Sequence, residues 1–179
     1  LLRGVHVSTH KLDVTDRAAT ALLPKAVLAE HGRVDLLVNN AGVAIGGTFE
    51  QVDEADFDWL IDVNFHAVVR LTRAFLPLLK ASDQARIVNI SSLFGLIAPP
   101  GQTAYSAAKF AVRAFSESLR NELAEAGSSV GVTVVHPGGI NTDIARNARP
   151  PRHVTNEEAA LVAAERDRFQ KFLRMSPAR

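Results

Sequence analysis

Short β-type runs alternate along this chain with much longer helical stretches, and no other feature restricts its possible folds as strongly. The runs span Val5 to Val14, Val34 to Asn39, Arg86 to Ile90 and Val130 to His136. Strands separated by helices are the pattern of an α/β domain with a parallel sheet. Between the first two runs, Asp16 to His31 reads as a helix, with Thr15 as N-cap and Gly32 just past its end. Between the next two, Glu54 to Lys80 carries Phe57, Leu60, Ile61, Val63, Val68, Leu71 and Phe75 at helical spacing, and Pro77 is expected to kink or end it. Ala104 to Ala126 is a third helix, stopped by Gly127. Arg86 to Ile90 shows little polar alternation, as expected for a central strand covered on both faces. Asn147 to His153, rich in Arg and Pro, reads as an irregular loop, and Thr155 to Leu173 as a charged amphipathic helix.

No repeat, low-complexity tract or linker divides the chain, so residues 1–179 are expected to form one domain. Its 47% hydrophobic and 22% charged content are ordinary for a globular protein. A net charge of +1 provides no field that would draw the chain onto nucleic acid or an anionic membrane. The absence of cysteine excludes disulfides and thiolate metal sites and is compatible with a reducing cytoplasm. No run approaches the roughly 18 apolar residues of a membrane span, and the first residues lack the zones of a signal peptide. The sequence begins without a methionine and its only one is Met175, which points to a fragment.

In open α/β sheets ligands bind beyond the carboxyl ends of the strands. Polar and glycine residues fall at those ends in strand after strand: Asp13, then Asn39-Asn40-Ala41-Gly42, then Ser91-Ser92, then Pro137-Gly138-Gly139. Each alone also fits a plain turn: Asp13 as a turn starter, Gly42 as a positive-φ residue. The sharpest signal is Tyr105-Ser106-Ala107-Ala108-Lys109. A tyrosine and a lysine four apart on a helix share one face, about 6 Å apart along the axis. The Lys109 ammonium would favour the Tyr105 phenolate and lower its pKa toward neutrality, where a tyrosine can give a proton to a carbonyl oxygen or take one from an alcohol. The same spacing also fits a solvated helix face. Tyr105 is, however, the chain's only tyrosine, and Ser92 lies just upstream of its helix.

Together these residues resemble the short-chain dehydrogenase/reductase family. The resemblance rests on Leu12-Asp13-Val14, Asn39 to Gly42, Val63-Asn64, Ile90-Ser91-Ser92, Tyr105 to Lys109, and Pro137-Gly138 followed by Thr142, with Ser92 and Tyr105 13 residues apart. It implies a doubly wound, Rossmann-like parallel sheet. It also implies hydride transfer between NAD or NADP and a secondary alcohol or ketone. By the same resemblance Tyr105 is the acid/base, Ser92 binds the reacting oxygen, and Lys109 tunes Tyr105 and grips the nicotinamide ribose. Asn64 would hold a relay water. Asp13 and Val14 would contact the adenine, and the turn Asn39, Asn40, Ala41, Gly42 would lie beside the cofactor, the two asparagines partly tying strands together. Pro137, Gly138, Ile140 and Thr142 would border the nicotinamide. The long helices from Glu54 and Ala104 would carry a homo-dimer or homo-tetramer interface. The family's glycine-rich phosphate loop has no counterpart here, since Gly42, Gly46 and Gly47 have the wrong spacing. The run Val5 to Val14 looks like the family's third strand, so the fold is expected to be incomplete at its N-terminus and to end early at Arg179. A non-catalytic scaffold on the same fold is the alternative, with no evident use for Ser92, Tyr105, Lys109 and Asn64 together.

Six histidines show no metal-ligand spacing beyond His6 and His10, and no metal site is expected. Ser92 lacks the Gly-x-Ser-x-Gly turn of a serine hydrolase. The stretch Phe94 to Pro100 is expected to wall a pocket for a substrate with apolar surface, and Asn141 to Arg152 with the helix after it to form a lid. Arg146, Arg149 and Arg152 fit either a solvated basic loop or a guide for an anionic tail. Trp59 is expected in the core or a subunit interface.

Overall fold

The computed structural model describes residues 5–140 and 142–172. Three strands, β1 (Leu36–Asn39), β2 (Arg86–Ile90) and β3 (Gly131–Val135), form a parallel sheet in sequence order. Helix α1 (Arg17–His31) leads into β1. Helix α2 (Glu54–Ile61), a π-turn (Asp62–His66) and helix α3 (Ala67–Lys80) connect β1 to β2. A 3₁₀ turn (Leu93–Gly95) and helix α4 (Thr103–Glu125) connect β2 to β3, and α5 (Asn156–Phe172) follows. Parallel neighbours need such crossovers because the chain must return to the same sheet end before each strand. The architecture is the α/β, Rossmann-like one expected.

One face of the sheet holds the core. Leu37, Ile87 and Val132 point to the side on which Phe75 and Leu79 of α3, Leu123 of α4, and Leu23 and Val27 of α1 pack. Ile87 and Leu79 are fully buried, each contributing about 2 kcal/mol of apolar transfer. On the opposite face Leu36, Val38 and Val135 are exposed, so β2 alternates in burial rather than being covered twice. Three apolar residues in Arg86 to Ile90 suggested cover on both faces, but among the described residues the helices that contact the strands share one side.

Several element ends differ from expectation. Residues 5–13 form no strand, because an extended run becomes one only by exchanging backbone hydrogen bonds with a neighbour. Helix α1 is capped by Asp16, not Thr15, since the Asp16 carboxylate accepts from the N–H groups of Ala18 and Ala19. Gly32 ends α1 at φ 74° and Gly127 follows α4 at φ 65°, the left-handed geometry that glycine adopts without steric cost. The helix through Pro77 runs on to Lys80. The interruption comes earlier, as the π-turn around Asn64, a feature frequent at functional sites. The last expected residue of the final helix, Leu173, and the first of the lid, Asn141, lie outside the described residues. No helix among the described residues is long and apolar enough to cross a membrane.

Candidate active site

The carboxyl end of β2 and the first two turns of α4 meet at one place. Beyond Ile90 the pairing with the β3 strand continues through loop backbone: Ser91 N donates to Val135 O and Leu93 N to Pro137 O, both at 2.8 Å. His136 Nδ1 donates to the carbonyl of Ser92 at 3.1 Å. These bonds set Ser92 beside Pro137 and Gly138. The Ser92 hydroxyl caps the 3₁₀ turn by accepting from Phe94 N. Ser91, buried, donates to the carbonyl of Lys109 at 2.9 Å and so fixes the turn against α4. Gly95 makes this contact possible. A Cβ there would come within 2.3 Å of the Ser91 hydroxyl and 2.8 Å of the Lys109 carbonyl oxygen.

On α4, Tyr105 and Lys109 share the face that looks to this strand end. Tyr105 is half-buried, with Phe94 edge-on at 6.2 Å between ring centres. The Ser92 hydroxyl is near enough to favour the ionised form of the Tyr105 phenol. The Lys109 ammonium lies 5.6 Å from the centre of the Tyr105 ring and donates to the carbonyl of Ile90 at 3.0 Å. Burial pushes the Tyr105 phenol above its usual range, and the nearby Ser92 hydroxyl only partly opposes this. Burial also pushes Lys109 down to about 8. The expectation that Lys109 lowers the Tyr105 pKa is therefore not met in this chain: removing water costs both charged forms more than their separation returns.

Asn64 joins the cluster from the π-turn. Fully buried, it donates from Nδ2 to the carbonyl of Val43 and accepts at Oδ1 from Val43 N, both at 2.8 Å. Each end of the amide keeps one further hydrogen-bonding position. Gly42 bridges the cluster, since a Cβ on it would sit 3.4 Å from Asn64 Oδ1 and 3.7 Å from the Lys109 nitrogen. Asn40, Ala41 and Gly42 are exposed along this edge, whereas Asn39 is buried. Asn39 Nδ2 donates to Asn89 Oδ1 at 2.8 Å and to the Thr72 hydroxyl, and Asn89 donates to Ser116. Asn39 thus ties strands and helices together, as expected in part. Thr72, Asn89 and Ser116, which complete the chain of bonds, were not foreseen. Asn89 opposing Asn39 in register was the available signal, and it needs the sheet order to be seen.

The other expected positions line the same sheet end. Asp13 accepts from the N–H and hydroxyl of Thr15, a local turn that holds its carboxyl below the usual range. The charge of Asp62, where the π-turn begins, is felt at Asp13 and opposes this in small part. The Val14 carbonyl accepts from Arg70, which also grips Asp62 at 2.6 Å. Ile140 N donates to Gly138 O and Thr142 N to Ile140 O, two successive tight turns beyond β3. His6 and His10 do not face each other as ligands: His6 lies 4.8 Å from the His31 ring and His10 3.9 Å from Glu30.

A cavity of about 480 Å³ opens at Phe94, whose ring meets Tyr105 edge-on. Phe94, Pro99 and Pro100 form one wall, as expected, with Gly46 and Gly47, residues 148–151 and the Val162 face of α5 around them. Leu96 and Ile97 of the expected wall are exposed instead. A second hollow of about 500 Å³, between Phe110 on α4 and residues 98–100, shares Pro99 and Pro100 with this cavity. A nicotinamide-ribose fits the edge on one observation. Beyond Ile90 O, the buried Lys109 ammonium has no further acceptor among the described residues, leaving two donors for hydroxyls. No glycine loop for a pyrophosphate accompanies it.

A sequence model of the short chain dehydrogenase family matches residues 2–153. The putative oxidoreductase SadH of Mycobacterium tuberculosis is 52% identical over 145 residues, 81% of this chain and 52% of that protein. The chain spans about half the length of the curated relatives it matches. A short-chain dehydrogenase/reductase of Burkholderia phymatum, solved in complex with NAD, superposes with a TM-score of 0.86 at 32% identity, over 96% of this chain and 62% of that one. ElxO with NADP bound gives 0.69 at 30% identity, over 74% and 53%. This chain therefore belongs to the short-chain dehydrogenase/reductase family.

Proposed function

We propose that this chain carries the proton-transfer centre of an enzyme that interconverts a secondary alcohol and a ketone, with NAD or NADP as hydride carrier. The observation that carries the reading is the meeting of Ser92, Tyr105 and the buried Lys109 at one sheet end, with the Lys109 ammonium 5.6 Å from the centre of the Tyr105 ring. A bound nicotinamide supplies the hydride chemistry; everything else falls to the chain. Ser92 holds the substrate oxygen against Tyr105. In the reducing direction Tyr105 gives its proton to that oxygen. Lys109 offers two N–H donors to the ribose hydroxyls. Asn64 keeps the turn around Val43 and Gly42 in place beside Lys109, and a water on the spare positions of its amide would return the proton to Tyr105. Asp13, Val14, Asn40 and Ala41 would follow the cofactor along the sheet edge, and Pro137, Gly138, Ile140 and Thr142 would flank its nicotinamide.

The apolar lining of the cavity supports a neutral ketone with aliphatic or ring surface. One domain, a cytoplasmic site of action and a homo-dimer or homo-tetramer through α3 and α4 complete the proposal, the last supported by Phe110 exposed on α4. The test is turnover of neutral ketones by the intact protein with NADH or NADPH, against Tyr105→Phe. Turnover that survives in Tyr105→Phe sinks the mechanism.

A further inference from the structure

The segment after β3 is held down by one carboxylate that plays no part in proton transfer. Asp56, on α2, has a side chain only 4% exposed. Arg149 Nη1 donates to its Oδ1 at 2.7 Å and Arg152 Nε to its Oδ2 at 2.7 Å. Arg152 also lies 3.6 Å from Asp53. The Arg149 guanidinium is 3.3 Å from the centre of the Trp59 ring. One of its N–H groups is thus committed to the carboxylate and one of its faces to an aromatic ring. The backbone follows the side chains: Arg149 N donates to Ala44 O at 3.0 Å and His153 N to Gln51 O at 3.2 Å.

Arg149 is also the one charged side chain among the described residues that line the cavity. Unpaired at an apolar wall, it would attract any anion entering, because a guanidinium cannot discard its charge. With Asp53 and Asp56 opposite Arg149 and Arg152, two negative charges cancel two positive ones. We propose that Asp56 is a specificity-determining positioning residue: it fixes the cavity wall at residues 148–151 and withholds the Arg149 charge, so that the pocket selects neutral apolar carbonyl substrates over those ending in a carboxylate. The inference deepens the proposed function and rests on the cavity being its substrate site.

Equilibrium binding tests it apart from turnover, by displacing an environment-sensitive apolar dye from the intact protein with decanol or decanoate. Wild type is expected to prefer decanol. Asp56→Asn is expected to move the ratio about tenfold toward decanoate, and the double variant with Arg149→Gln to restore it. Arg149→Gln alone is expected to stay within about twofold of wild type, since its charge is already withheld. A folded Asp56→Asn with an unchanged ratio overturns the proposal, as does wild type preferring decanoate. If Asp56→Asn fails to fold, Arg149→Gln decides: a large loss of decanoate binding means that the charge was acting in the cavity all along, and the proposal falls. Displacement by neither ligand overturns the cavity as a substrate site, while Tyr105→Phe turnover reports on the catalytic reading separately.

Discussion

The strand end around Ser92 and the cavity wall around Arg149 are held by different forces. At Ser92 the backbone does the holding: loop N–H groups continue the β2 to β3 pairing, Ser91 is bonded to the Lys109 carbonyl, and Gly95 is pressed against both. At Arg149 side-chain charges do most of it, through one buried carboxylate and one indole ring. Backbone pairing with a close-packed glycine fixes atoms to within tenths of an ångström. Ion pairs whose cations reach solvent are softer and respond to pH and salt. A proton-transfer centre needs the first kind of support, and a wall that sets which substrates enter can work with the second.

Four changes would break or sharpen this contrast. The largest effect is expected from Tyr105→Phe: a loss of turnover of about 10²- to 10⁴-fold in the intact protein, with NADH or NADPH affinity within about threefold of wild type by fluorescence titration. Gly95→Ala comes next. With a Cβ forced onto the Ser91 hydroxyl and Lys109 carbonyl, we expect about 1–3 kcal/mol of lost stability by urea unfolding, together with lower turnover. A neutral effect would mean that the backbone support is looser than its geometry indicates.

The third concerns Lys109, whose folded pKa of about 8 lies below its unfolded value. Between those two values the unfolded chain binds the proton and the folded chain does not, so stability rises with pH from about 8 toward 10. Lys109→Met should flatten that rise, by about 1–2 kcal/mol in the urea midpoint series; parallel curves would count against a buried, depressed lysine. The smallest effect is expected at Asp56. Burial alone would raise its carboxyl, but bonds to Arg149 and Arg152 hold it below the usual range. Its contribution is therefore present above the unfolded value near 4 and lost as pH falls through the lower folded one. Between pH 5 and 3 wild type should lose about 1 kcal/mol more than Asp56→Asn, and identical acid curves would show the wall to be held by its backbone bonds.

Much of this was legible beforehand because its causes are local. Alternating β and helical runs placed β2 to the residue, and β1 and β3 to within two, since apolar periodicity and glycine stops act over a few residues. Tyr105 and Lys109 share a face because four residues make about one helical turn. Ser92 was found because it follows a strand directly. The pKa shift of Tyr105 was read with the wrong sign, since spacing reveals the neighbouring charge but not the water lost on burial. The cap at Asp16 rather than Thr15 was a choice between adjacent residues that both favour such positions.

By itself, then, the sequence determined the order of elements from α1 onward, the parallel sheet and the grouping of Ser92, Tyr105 and Lys109, because period, capping and strand-end position act along the chain. The tertiary structure alone decided which face of the sheet is covered, that Asn89 opposes Asn39, and that Arg149 and Arg152 close on Asp56 from 93 and 96 residues away. Contacts of that separation leave no periodic trace in a single sequence. They exist only once the strands have stacked in register and brought the ends of distant loops to one edge.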